Sequence, residues 1–169
     1  MNDDLVLRRA VEADAPAVRA LTREAYTKWV ALIGREPRPM TADVEAAIRD
    51  HRIDVLSVGA RVVALIETIA EPEALLIENV AVSPALQGRG LGRRLIAHAE
   101  RLAADMGYAT ITLYTNAAFV ENVALYQRLG FAIAREEAYL GGQIVHMSKP
   151  VAASGGATAD GLPDRTGGG

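Results

Sequence analysis

The chain has 169 residues, about one domain's worth, and half of them are hydrophobic, enough for a proper core. Its net charge of −3 lacks the basic excess of a nucleic-acid binder, and the lack of cysteine excludes disulfides and thiolate metal sites. The three histidines show no metal-ligand spacing, the acidic start lacks the features of a signal peptide, and no apolar run reaches the ~20 residues of a membrane span. A cytoplasmic protein is expected, binding no metal, nucleic acid or membrane.

Residues 5–9 read as a first strand. Asp14 offers a helix cap with Pro16 in the first turn. Val18, Leu21, Ala25 and Trp29 then recur at helical spacing. Residues 34–39, rich in proline, are a loop, and Thr41 is placed to cap a short helix carrying Val44, Ala47 and Ile48. Residues 53–57, 61–69 and 74–82 are strands rich in β-branched or apolar residues. A helix over 90–106 follows, with Leu91, Leu95, Ala99, Leu102 and Met106 as its stripe and Gly107 as its stop. Residues 109–114 form a strand, 117–129 a helix, and 131–139 and 143–149 two closing strands. This order predicts an α+β fold, a mixed and mostly antiparallel sheet flanked by helices. Residues 1–150 form one domain, and the small, polar, glycine-rich residues 151–169 a flexible tail.

The most informative stretch is Val80-Ala-Val-Ser-Pro-Ala-Leu-Gln87-Gly-Arg-Gly90-Leu-Gly92, in which a strand runs into three glycines, Gly88, Gly90 and Gly92. A helix start leaves about four N–H groups unpaired and carries roughly half a positive charge. Glycine lets a backbone approach a ligand closely. Together they suit a phosphate. A P-loop would need a lysine that this loop lacks. The dinucleotide fingerprint spaces its glycines differently and expects a parallel sheet. A tight turn beside solvated arginines is the plain alternative.

The stretch resembles the acyl-CoA motif of the GNAT N-acetyltransferase superfamily, Gln/Arg-x-x-Gly-x-Gly/Ala, at Gln87, Gly90 and Gly92. Leu125-Tyr126-Gln-Arg-Leu-Gly130-Phe131 looks like the family's later helix and strand start. The resemblance implies a GNAT fold with a seven-stranded sheet and about four helices. It implies acetyl-CoA as co-substrate, no metal, and transfer of an acetyl group to a primary amine of a small molecule, peptide or protein. Its pyrophosphate would lie on the amides of Gly88, Arg89, Gly90, Leu91, Gly92 and Arg93, and its pantetheine arm along Val80, Ala81 and Val82. Family members are often dimers, so a homodimer is also implied. With no cysteine to carry an acetyl group, the amine would attack directly in a ternary complex.

Tyr126 is the candidate acid for the leaving thiolate, since a phenol and a thiol have comparable pKa values; packing helix to sheet is its alternative role. Glu78, in an apolar strand, is the candidate base through water, on one face with Val80 and Val82 unless a bulge intervenes. An ion pair with an arginine is its alternative, and Glu67 a second candidate. Many relatives carry an Asn where this chain has Phe119; Asn116 and Asn122 are nearby substitutes, although Asn116 also suits a helix cap. Tyr26, Trp29 and Met40 fall in the region that lines the acceptor side in GNAT folds, where Trp29 suits the core more than a pocket, and Arg38 suits solvent more than the alternative, a bound carboxylate. A doubtful base and a missing Asn leave a second possibility, a catalytically silent module that binds and senses acyl-CoA.

Overall fold

In a computed structural model, which describes residues 4–152, seven strands form one sheet in the order β1-β2-β3-β4-β5-β7-β6. They are β1 (Leu5–Arg9), β2 (Arg52–Val58), β3 (Arg61–Ala70), β4 (Leu75–Val82), β5 (Thr110–Asn116), β6 (Ala132–Tyr139) and β7 (Gly142–Pro150). All neighbours are antiparallel except β4 and β5, whose parallel pairing joins the two halves. The helices are α1 (Ala15–Ile33), α2 (Arg38–Thr41), α3 (Val44–Asp50), α4 (Leu91–Asp105) and α5 (Val120–Arg128). This is the expected mixed sheet. Of the expected tail, all but residues 151 and 152 lie outside the described residues. Among the described residues no helix is long and apolar enough to cross a membrane, and no cluster of His, Asp or Glu is placed to hold a metal.

Two cores form because the sheet is apolar on both faces. On one, Val18, Leu21 and Ala25 of α1 and Val44 and Ala47 of α3 cover Ile53, Val55 and Leu65. On the other, Leu91, Leu95, Ile96, Ala99 and Ala103 of α4 cover Ile66, Leu75, Ile77, Ile111 and Met147. The α4 stripe runs on through Ala103, and Met106, expected to extend it, is 49% exposed past the helix end.

Several boundaries differ from expectation for local reasons. Asp14 does not cap α1: its carboxylate accepts from Val11 N at 2.8 Å and pairs with Arg8 at 2.8 Å, so a 3-10 turn precedes the helix. Asp43 caps α3 by accepting from Ala46 N at 3.0 Å, while the Thr41 hydroxyl donates to Arg38 O. The expected loop over 34–39 holds as far as residue 37, and Arg38 and Pro39 begin the single turn α2. The helix expected from 117 starts at Val120, because Asn116 Oδ1 first takes the amide of Ala118 at 2.9 Å.

The consequential departure lies in β4. Thr68 of β3 pairs with Ile77 and Glu67 pairs with Asn79, so Glu78 is an extra, bulged residue. The bulge reverses the alternation. Ile77, Val80 and Val82 all pack toward the α4 core, whereas Asn79 turns to α1, where its side chain meets Tyr26 and Thr22. Glu78 therefore does not share a face with Val80 and Val82.

Leu95 is fully buried at the centre of the α4 core. Leu95→Ala is expected to lower stability by about 2–5 kcal/mol in urea unfolding.

Candidate acyl-transfer site

The parallel pairing of β4 and β5 covers three residue pairs, Leu75 with Ile111 through Ile77 with Leu113. Beyond Ile77 the strands part. Ser83 N donates to Val63 O at 2.8 Å, and antiparallel bonding alternates residue by residue. Counting back along β4, Val80 and Val82 turn their amides and carbonyls away from β3 and into the gap. Two of these carbonyls are partly engaged: Gln87 Nε2 donates to Val82 O at 3.2 Å, and the Tyr26 hydroxyl lies 3.4 Å from Val80 O.

The loop after β4 is held open at its base. Gln87 ties its start to the strand end, and Lys28 Nζ lies 3.5 Å from Gln87 Oε1. Gly88 and Gly90 both sit at φ 80°, the left-handed region that glycine takes without penalty. Arg94 N makes the first bond of α4, to Gly90 O. Among the described residues the amides of Gly88 to Arg93 find no acceptor, and no side chain caps the helix. A groove runs from this loop along β4, lined by Gln87, Gly88, Gly90, Gly92 and Arg93 at one end and by Val80, Asn122 and Tyr126 at the other.

At Val80 and Tyr126 the groove meets an open cavity between α1, α2 and β5. Tyr26, Glu78, Asn79, Tyr114 and Phe119 line it. The Tyr114 hydroxyl donates to Glu78 Oε1 at 2.7 Å. Burial, and then this bond to a carboxylate, push the Tyr114 phenol well above its ordinary range. Burial pushes Tyr126 up to about 12, and its ring packs edge-on against Phe131. A second cavity leads from Glu78 past Glu67 to His51, whose Nδ1 lies 2.6 Å from Glu67 Oε1. Burial raises the Glu67 pKa despite that pairing.

Residues 16–131 match the model of the acetyltransferase (GNAT) family. The chain belongs to the GNAT family. It is 37% identical over 84 residues to the mycothiol acetyltransferase of Jonesia denitrificans, a match that covers 48% of this chain and 27% of that one. The chain thus spans about a quarter of that curated relative's length. A putative GNAT acetyltransferase from Desulfovibrio desulfuricans superposes with a TM-score of 0.75 at 18% identity, covering 88% of this chain and 100% of that one. PaiA N-acetyltransferase from Thermoplasma acidophilum, solved in complex with coenzyme A, superposes with a TM-score of 0.69 at 16% identity, covering 87% of this chain and 99% of that one. At these identities the two structures establish a shared GNAT fold.

Within this GNAT fold the sequence candidates divide. Val80, Ala81, Val82, Gln87, Gly88, Gly90, Leu91, Gly92, Arg93 and Asn122 all line the groove, and Arg89 does not. Asn116 lines the cavity instead, with its oxygen already bonded to Ala118 N. Phe119, where many GNAT relatives have Asn, stacks on Trp29 with ring centroids 4.4 Å apart. Trp29 is thus a buried wall of the groove, and Met40 is buried outside both spaces; only Tyr26 of the three acceptor candidates reaches the cavity. Tyr114 and Lys28 were not singled out from sequence. Alternation along β5 sets Tyr114 opposite Ile111 and Leu113, a signal visible in the sequence once β5 is aligned beside β4. Lys28 carried no such signal, since its place depends on how α1 crosses the loop.

The two glycines of the motif are expected to respond differently to alanine. Gly90→Ala forces a left-handed residue and costs about 1–2 kcal/mol. At Gly92 a Cβ would meet only Val82 Cγ2 at 4.0 Å, an ordinary contact, so Gly92→Ala should leave the urea midpoint unchanged or slightly raised.

Proposed function

We propose that the chain is an acetyl-CoA-dependent N-acetyltransferase that moves an acetyl group to a primary amine by direct attack in a ternary complex. One observation carries this reading. The groove from the glycine loop and the cavity containing Glu78 run into each other and share Tyr26, Val80, Asn122 and Tyr126 as lining.

The residues present fit coenzyme A. The unpaired amides of Gly88 to Arg93, at a helix N-terminus, suit its pyrophosphate. Arg93, Lys28 and Arg128 line the same groove and add positive charge. The outward amides and carbonyls of Val80 and Val82 suit an extended amide chain. Bound acetyl-CoA supplies the thioester.

The chain's own groups supply the rest. Glu78, fixed by the Tyr114 hydroxyl, takes a proton from the incoming ammonium, directly or through water. The amides of Val80 and Val82 stabilise the oxyanion in a gap that no strand fills. Tyr126 stays protonated at neutral pH and donates to the departing thiolate.

The test is incubation with acetyl-CoA and a broad amine panel, read by mass spectrometry for acetylated product. Product formation is expected; no product while coenzyme A still binds would contradict catalysis and leave a sensing module. Given turnover, Tyr126→Phe should lower kcat by about 10² or more without changing the affinity for coenzyme A. Because burial holds Tyr126 at about 12, its deprotonation should remove no activity below roughly pH 11. Any alkaline fall in rate below that pH should therefore persist in Tyr126→Phe. Glu78→Gln should lower the rate most at low pH, where little free amine is present.

A further inference from the structure

We infer that the acceptor carries a carboxylate beside its amine, as an α-amino acid does, and that Arg35 and Arg38 hold that carboxylate. This rests on the acyl-transfer reading of the same cavity and narrows it to a substrate class.

Arg35 and Arg38 are the arginines that line the central cavity. Arg8, Arg19, Arg23, Arg52 and Arg135 each pair with a carboxylate of the chain, and among the described residues neither Arg35 nor Arg38 forms an ion pair. Each is placed by an aromatic ring instead. Arg35 Cζ lies 5.4 Å from the Tyr139 ring, and Arg38 Cζ lies 6.0 Å from the Tyr114 ring. A ring face orients a guanidinium while leaving its in-plane N–H donors for another ligand, and those donors match a carboxylate in pairs.

The segment that carries them is built rather than loose. Arg23 of α1 bonds both Glu36, at 2.6 Å, and Met40 O, at 3.0 Å. Pro37 and Pro39 fix the backbone on either side of Arg38. The two guanidinium groups are thus held on the cavity wall while Glu78, bonded to Tyr114, supplies negative charge within the same space. A zwitterion answers both signs. An amine alone would answer Glu78 and leave the two guanidinium groups without a partner of their own.

The experiment is a matched acceptor panel with acetyl-CoA. It contains several α-amino acids, the carboxamide and the decarboxylated amine of each, a diamine, and peptides ending in the same residues. The α-amino acids are expected to exceed their carboxamides in kcat/KM by about 10- to 100-fold, the range of hydrogen bonds between charged groups. Arg38→Gln should collapse that ratio toward one, chiefly through KM, and Arg38→Lys should restore part of it. Arg35→Gln provides a second variant should Arg38→Gln fail to fold. Carboxamides, diamines or peptides used as well as or better than free amino acids would overturn the inference. If no amine is turned over, calorimetry of the α-amino acids with the coenzyme A-loaded protein decides. Binding that Arg38→Gln removes would sustain the carboxylate site while ending the catalytic reading, and no binding would overturn the inference itself.

Discussion

The structure turns on the place where β4 leaves β5. Three parallel residue pairs hold the two halves of the sheet together, and then the strands separate. In a continuous sheet the amides and carbonyls of Val80 and Val82 would be bonded to a neighbour. Here they face a gap: Gln87 and Tyr26 reach the two carbonyls, and the amides are costly to leave unpaired unless something else meets them. In the proposed reading that need is met by a ligand with an extended amide chain, and the glycine loop at the end of the same strand would fix which way it runs. The side chains on either flank then matter because of where the gap places its contents.

The bulge at Glu78 is tied to the same parting. One extra residue lets β4 bury Ile77, Val80 and Val82 against the α4 core while Asn79 turns to α1. Glu78 is left beside Tyr114, the residue after the last β5 position paired to β4. A carboxylate in the middle of a sheet would ordinarily be an expensive error. At a bulge, at the mouth of a gap, it acquires a phenol partner and an opening toward solvent. Tyr126 comes from the other side, on a helix that packs its ring on Phe131, and burial keeps its proton in place.

Much of this was legible in the chain. The β-branched and apolar runs of β2 to β4, the stripe of α4 and the glycine spacing of its entry loop depend on local residue types, and the fold follows them. What was not legible depends on pairing between distant segments. Whether a strand carries a bulge is settled by its partners' registers, so the face of Glu78 stayed conditional. Arg38 is exposed, as a solvated arginine would be, but the ring of Tyr114 beside its guanidinium lies far along the chain and was not legible. Phe119 read as a lost asparagine, and the stack with Trp29 shows what stands there instead. Caps were misplaced at Asp14 and Thr41 because nearby residues, Val11 and Asp43, offered better-placed partners.

The central claim is that the parted strands and the glycine cradle are one continuous binding surface for coenzyme A. Residue-resolved amide hydrogen exchange, with and without coenzyme A, tests it most directly. The account predicts that coenzyme A slows exchange at Val80, Val82 and the amides from Gly88 to Arg93 together, and that ATP at equal concentration slows the cradle without Val80 and Val82. Protection confined to the cradle with coenzyme A, or equal protection of the strand by ATP, would contradict it.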